Sequence, residues 1–553
     1  MEKKTFLILL SIVVLVNSSG LFCDIFMEDS SLYAIISKSF AVSGNYMDIY
    51  VNGSDWLDKP HFPFWVCSLF IKIFGINSFA YKLPSLLFFL LGLTYTFKLA
   101  KELYNKEVAW LATLITGSAL HIILSNNDVR AESILLGLII PAMYYLYKLS
   151  LKFSIKNVIL GSLFSAAAVM TKGVFILIIL YSALFLNMLI RHQVKDLFRI
   201  RWIVLILLTF VFVTPELYAI YNQFDLHPEK VVFGTTNVSG IKFFFWDSQF
   251  GRFFNSGPIK GEGDHFFFIH TLLWAFAPWA ILGFTALGIT IRNLFYKEKN
   301  KEYLTFFGFI IMFTIFSLSG FQLPHYTNIL FPLLSIMVAT LVWRTKSGLV
   351  LKIIKYSINT YVVVFAIFIL LLEYYFKTER LIFSIFIIIT LGILFIYYNF
   401  RAERSVLKYI ILGILSTLLV TLFLNVCFYP RLLKYQSGSQ LATYTNEHYP
   451  GEKILVNYND WILQYYTKNQ LVDIRTIDGL KNEVRDKSTI LIANEDFLGN
   501  IKSGNLSYNI IKVFEHFHIT TLSLDFIQSE SRAKAISNFY LLEIKSLSQN
   551  PVH

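Results

Sequence analysis

The sequence predicts an all-α polytopic membrane protein of about thirteen transmembrane helices, followed by a small C-terminal α/β domain. Three observations carry this reading. Of 553 residues, 56% are hydrophobic and only 15% charged, where a soluble globular chain carries nearer a quarter charged residues. Apolar runs of about 20 residues recur, each long enough to cross roughly 30 Å of hydrocarbon as a helix. From residue 430 onward the composition changes to balanced charge and short apolar runs.

The apolar runs lie near 5–23, 79–100, 108–125, 132–150, 157–171, 173–190, 201–221, 266–291, 303–319, 325–343, 351–373, 380–399 and 406–428. The first follows Lys3 and Lys4 and fills most of a span, so it reads as an uncleaved helix rather than a signal peptide. The pair at 157–190 is divided only by Thr171-Lys172-Gly173.

A net charge of +12 raises nucleic acid as a partner, but the basic residues sit in short connections between apolar runs. Lys98, Lys101 and Lys106 follow the second run, and Lys148, Lys152 and Lys156 the fourth. Arg191, Lys195, Arg199 and Arg201 follow the sixth, and Arg292, Lys297, Lys299 and Lys301 the eighth. Arg344, Lys346, Lys352 and Lys355 follow the tenth, and Arg401, Arg404 and Lys408 the twelfth. Every second connection is basic, which is the positive-inside pattern. It predicts a cytoplasmic N-terminus and, with an odd number of spans, a C-terminal domain on the outer face. The connections at 24–78, 126–132, 172, 222–265 and 320–326 then share the outer face.

The first of these is the richest. Residues 24–65 hold Asp24, Glu28, Asp29, Asp48, Asp55 and Asp58, followed at once by Lys59-Pro60. Leu32, Ile35, Ile36 and Phe40 recur at helical spacing and predict an amphipathic helix at the membrane surface. Gly44-Asn45 and Asn52-Gly53 mark turns, and a second interfacial helix over 60–74 ends at Gly75. Cys23, Cys67 and Cys427 are too few and too scattered for a disulfide framework or a metal site. In residues 430–553, the runs 454–456, 471–474, 490–492 and 509–513 read as strands, with helix-prone stretches such as 480–485 between them.

Several outer-face residues have chemistry to offer, each beside a plainer reading. Asp29 can take a proton from an acceptor as it attacks a sugar carbon; with Ser30 and Ser31 it also makes a good helix start. Lys59 can hold a phosphate as a point charge, with Asp58 orienting it or binding a metal; it is equally a snorkelling lysine with a counter-ion. Arg130 and Glu132 mark a costly charged helix end, and can pair with each other. Lys172 splits an apolar hairpin, where snorkelling also explains it. Arg252, set among Phe250, Phe253 and Phe254, is placed to grip a phosphate. The Tyr326 hydroxyl can reach a phosphate oxygen, or the ring can simply anchor. Asp264-His265 and His270 read as a cap and bystanders.

Taken together, these positions resemble the GT-C glycosyltransferases that use dolichyl- or polyprenyl-phosphate sugars. The resemblance is nearest to the aminoarabinose lipid A transferase branch, and more distant to protein O-mannosyltransferases. It rests on Asp29-x-x-x-Tyr33-Ala34-x-x-Ser37, Asp58-Lys59-Pro60-x-x-x-x-Trp65, Phe74-Gly75, Arg130-x-Glu132, Thr171-Lys172-Gly173, Ala277-Pro278-Trp279 and Leu323-Pro324-x-Tyr326, in order across residues 24–332. The resemblance implies a GT-C transmembrane domain over 1–429 and a periplasmic appendage over 430–553. It implies inverting transfer of a sugar, hexose or pentose, from a polyprenyl-phosphate donor to a lipid A, polysaccharide or protein acceptor. Asp29 would be the base; Lys59, Arg252 and Tyr326 would hold the carrier phosphate; Asp58, Arg130, Glu132 and Lys172 would support them. No cofactor is implied: Gln249 stands where a histidine would complete a zinc site, which argues against a divalent metal near Asp58. Asp58 replaces that branch's Glu, and His325 a smaller residue. A transporter or flippase of lipid-linked sugars is the competing reading, but it calls for charges near the bilayer midplane. Here the charges sit at span ends.

Overall fold

The computed structural model describes residues 1–296, 302–400, 405–458 and 460–547. Lys297, Lys299, Lys301, Arg401 and Arg404 of the basic connections lie outside the described residues. All thirteen apolar runs are helical. Among the described residues, seven helices are long and apolar enough to cross a membrane by themselves: Ser78–Leu103, Ala131–Leu151, Val194–Asp225, Pro324–Arg344, Gly348–Tyr375, Leu381–Phe400 and Leu407–Tyr435. Lys106–Gly117 and Leu120–Asn127, bent by 53°, form an eighth span if counted as one.

The other runs give shorter pieces because their ends leave the helix. The 266–291 run is cut at 276–279 around Pro278, giving Phe267–Ala275 and Ala280–Phe295. Proline there withholds a backbone donor. Where helices must touch closely, small residues sit at the contact. A Cβ on Gly137 would lie 2.2 Å from the Phe88 carbonyl oxygen, so Ala131–Leu151 and Ser78–Leu103 pack backbone against side of helix. That contact fixes the helix that carries Glu132.

The first outer loop is built as its turn residues predict. A helix over Asp29–Ser43 ends on Gly44 at φ 73°, the left-handed cap that glycine adopts without strain. Strands β1 (Tyr50–Val51) and β2 (Ser54–Asp55) form a hairpin through Asn52 and Gly53, both at positive φ. The helix Phe62–Phe74 then runs to Gly75 at φ 81°. One expectation needs correction. The Asp29–Ser43 helix does not lie with one face open at a membrane surface; Ser30, Ser31, Tyr33, Ala34 and Ser37 are buried along with Leu32, Ile35, Ile36 and Phe40. It is sandwiched between Phe62–Phe74 and the helix Trp461–Tyr466 of the C-terminal part, a partner that its own periodicity cannot announce.

The C-terminal part holds a five-stranded sheet, β3 (Lys453–Val456), β4 (Gln470–Asp473), β5 (Thr489–Asn494), β6 (Tyr508–His516) and β7 (Ser537–Ile544), in the order β4-β3-β5-β7-β6. β3 pairs parallel with β4 and β5, and β7 pairs antiparallel with β5 and β6. The four expected strands are present. β7 was not foreseen, although its Phe539, Leu541 and Leu542 are buried at the centre of the antiparallel half. Helices Ile477–Glu483 and Glu495–Ser503 cross between strands, capped by Thr476 and Asn494 accepting from Gly479 N and Phe497 N.

Candidate active site

Asp29 opens its helix, and its Oδ2 accepts from Arg130 Nη1. Arg130 precedes the Ala131–Leu151 helix and also donates through Nε to Asp128 Oδ2 at 3.0 Å. The Asp29 side chain keeps 42% of its surface exposed, while Arg130 keeps 16%. A carboxylate oriented by a guanidinium yet open to solvent suits an incoming acceptor. The suggested pairing of Arg130 with Glu132 is corrected here. Arg130 is the extended residue before the helix and Glu132 lies in its first turn, and the two side chains serve different clusters.

Glu132 is buried and takes Lys172 Nζ on Oε1, with His325 Nε2 3.5 Å from Oε2. Lys172 ends the Ile155–Lys172 helix at the break formed by Gly173, φ 112°. Its ammonium lies 4.1 Å from the centre of the Tyr326 ring. His325, noted in the sequence only as a bulkier neighbour, is therefore a second partner of Glu132.

Asp58 gathers two cations. Lys59 Nζ donates to Asp58 Oδ2 at 2.5 Å, and Arg252 Nη2 donates to Oδ1. Burial opposes the charge on Asp58, but Lys59 and Arg252 outweigh it and hold the carboxyl below its usual range. Burial pushes Lys59 down to about 8, Asp58 opposing this and Arg252 and Lys172 adding repulsion. Arg252 Nε is buried without a hydrogen-bond partner among the described residues.

Asp58, Lys59, Lys172, Gln249, Arg252 and Tyr326 line one cavity of about 250 Å³, whereas Asp29, Arg130, Glu132 and His325 are not among its lining residues. Phe175, Phe243, Phe244, Phe250, Phe253, Phe316 and Phe321 are also in the wall. Cationic groups and aromatic rings lining one cavity fit a ligand with a phosphate and a hydrocarbon chain.

Two further elements were given no role by the sequence reading. Tyr33 is buried, and burial, then Asp29, Asp58 and Glu132, hold its hydroxyl proton on. It thus stands within electrostatic reach of both carboxylate clusters. The buried pair His61 and Glu216 braces the loop: Nδ1 lies 2.9 Å from Glu216 Oε1, and the His61 N–H donates to Oε2. Nε2 lies 2.9 Å from the Met47 carbonyl oxygen, which can only accept, so that nitrogen carries a proton. Burial lowers the His61 pKa, but Glu216 outweighs it and leaves the ring above its ordinary value. The only signal for this pair was a carboxylate inside an apolar run.

Among the described residues no three His, Cys, Asp or Glu side chains converge as a metal site requires. Gln249 donates to Ser248 Oγ at 2.6 Å and to the Lys172 carbonyl at 3.3 Å.

Residues 58–218 match the family model of dolichyl-phosphate-mannose-protein mannosyltransferases. The chain is 26% identical over 345 residues to an uncharacterised protein of Aquifex aeolicus, covering 61% of this chain and 64% of that one. It is 24% identical over 407 residues to the undecaprenyl phosphate-α-4-amino-4-deoxy-L-arabinose arabinosyl transferase of Wigglesworthia glossinidia brevipalpis, covering 69% of each. The crystal structure of ArnT from Cupriavidus metallidurans bound to undecaprenyl phosphate superposes over 100% of both chains, with a TM-score of 0.74 and 15% identity. The matched stretches thus span roughly two thirds of these curated relatives, while the fold agrees from end to end. The chain has the GT-C membrane fold of ArnT and is similar in sequence to aminoarabinose transferases and, over residues 58–218, to protein mannosyltransferases.

Proposed function

We propose that this protein is an inverting glycosyltransferase of the inner membrane that takes a sugar from a polyprenyl-phosphate donor. The observation that carries the reading is the cavity itself, where Lys59, Lys172, Arg252 and Tyr326 share a lining with a set of phenylalanines. The similarity to aminoarabinose transferases and the fold shared with ArnT support the same donor class.

In the reaction so proposed, Asp29 accepts the proton of the acceptor's hydroxyl or amine as that group attacks the anomeric carbon. The bond from that carbon to the phosphate oxygen breaks, and the electron pair leaves with the polyprenyl phosphate. Lys59 and Arg252 stabilise the charge that grows on the departing phosphate. Tyr326 adds a hydroxyl donor, and Glu132 holds Lys172 in place. Arg130 holds Asp29 in position. The reaction needs no cofactor. The sugar is a pentose or hexose, the acceptor is lipid A, a polysaccharide or a protein, and the site and C-terminal domain face the periplasm.

The experiment is transfer from a labelled polyprenyl-phosphate sugar by the purified protein in detergent, with Lys59→Ala and Arg252→Ala measured alongside for donor binding. Both variants should weaken donor binding at least tenfold, the loss expected when a charge-assisted contact to phosphate is removed (about 1.5 kcal/mol or more). Undiminished affinity in both would remove the phosphate assignment.

A further inference from the structure

We infer that the C-terminal domain is a positioning device for Asp29, and that His518 and Glu28 are its working contact. This rests on the reading of Asp29 as the base.

The segment leading into the Asp29 helix is gripped residue by residue from the C-terminal part. The Tyr466 hydroxyl accepts from Ile25 N at 2.9 Å. Gln436 accepts from Met27 N at 2.9 Å and donates to the Ile25 carbonyl at 2.7 Å, so one buried amide spans the strand of chain on both sides. His518, on the loop after β6, places Nε2 2.7 Å from Glu28 Oε1. The hydroxyls of Thr520 and Thr521 lie 3.0 and 3.3 Å from its Nδ1 and fix the ring from behind. At the other end of the helix, Lys38 donates to the carbonyls of Gln464, Tyr465 and Thr467 at 2.6, 3.0 and 2.8 Å, closing the end of Trp461–Tyr466.

Glu28 gives this grip its consequence. It sits at φ 71° and ψ −131°, a backbone conformation that a residue with a side chain rarely adopts. No side-chain cap bond holds it there, and the helix begins at the very next residue, Asp29. Its His518 contact holds the carboxylate from outside the helix. Without His518, the turn at 28 is held through its carbonyl, which accepts from Leu32 N at 3.0 Å and Ser31 Oγ at 2.8 Å, and Asp29 is then less firmly fixed against Arg130 and an incoming acceptor. Asp24, Asp48 and Asp55 do not share this role: Asp48 accepts from Asn45, and Asp55 pairs with Lys230 at 2.9 Å within the outer loops. Glu28, which the sequence offers only as one of several acids in this loop, is tied to a residue 490 positions away.

The test uses the full chain in detergent and reads kcat for sugar transfer, donor affinity and melting temperature separately. Glu28→Gly keeps the backbone conformation accessible and removes only the grip; His518→Ala removes it from the other side. Both should lower kcat roughly ten- to a hundredfold, the size of effect a displaced reacting group produces, with donor affinity unchanged. The double variant should lose no more than either single one, and Glu28→Gln, which can still accept from His518, should restore most of the rate. Wild-type kcat in both single variants, or additive losses in the double, overturns the inference. Asp29→Asn separates the two levels. If it retains transfer, the base reading itself fails; if it is inactive while Glu28→Gly and His518→Ala run at full rate, only the positioning role fails.

Discussion

Arg130 donates to Asp29 across a separation of 101 residues, joining the head of a membrane-spanning helix to the head of the loop helix beside it. The proposed base is thereby tied to the transmembrane body through one guanidinium, whose other edge is held by Asp128. Loss of that tie is the first expected fault. Arg130→Ala should reduce kcat by roughly ten- to a hundredfold, since misplacement rather than removal of the base is the effect. Donor binding should stay near wild type, because Lys59 and Arg252 are untouched. A transfer assay with separately measured donor affinity decides it. A loss confined to affinity would move Arg130 into the phosphate site.

Lys59 sets a pH dependence. Burial holds the free ammonium at about 8. A bound phosphate favours the charged form, so the pKa is higher in the complex than in the free protein. Donor affinity is therefore full below about pH 8 and falls as the pH rises through that value. Lys59→Arg, whose guanidinium stays charged, should flatten this limb. Asp58→Asn removes the carboxylate that opposes the effect of burial and should shift the limb to lower pH. Donor affinity measured across pH 6 to 10 (about the range spanned by both forms) checks both shifts.

Glu132 is buried between Lys172 and His325. Glu132→Ala leaves the Lys172 ammonium without its partner in a low-dielectric site, which costs about 3–5 kcal/mol when one member of a buried pair is removed. The expected outcome is a clear fall in melting temperature in detergent. Glu132→Gln retains an acceptor for Lys172 and should lie between Glu132→Ala and wild type.

His61 and Glu216 give stability a second slope. The folded pKa of His61 lies above its ordinary 6.5 because Glu216 overcomes the effect of burial. The sign follows from linkage: stability from this pair is fully present below about pH 6.5 and is lost as the pH rises through the raised folded value. Melting temperatures from pH 5 to 9 (about the range histidine titration covers) should show that decline. Glu216→Gln should be less stable at low pH and should lack the slope.

Much of the fold was legible because its signals are local. Thirteen apolar runs became helices, Asn52-Gly53 became a hairpin turn, and Gly44 and Gly75 ended helices as glycine can. The candidate residues Asp58, Lys59, Lys172, Arg252 and Tyr326 proved to line one cavity. Pairing was not legible. Whether Arg130 meets Glu132 or Asp29 depends on the rotation of two helices about their axes, and His61 finds Glu216 across 155 residues. Likewise nothing in the pattern of Leu32, Ile35, Ile36 and Phe40 reveals that the opposite face is covered by Trp461–Tyr466. Periodicity reports that a face is buried, and leaves its partner unnamed. β7 was missed for a related reason, because short apolar runs at a chain end resemble strand, helix and loop alike.

The most direct test of the account is sugar transfer by Asp29→Asn. The purified variant would be given a polyprenyl-phosphate sugar and an acceptor lipid, and compared with wild type at equal melting temperature and equal donor affinity. The account predicts that the variant folds, binds the donor as wild type does, and transfers sugar at least a hundredfold more slowly, the range that loss of a general base produces (about 10²–10⁴). Transfer at the wild-type rate would contradict it.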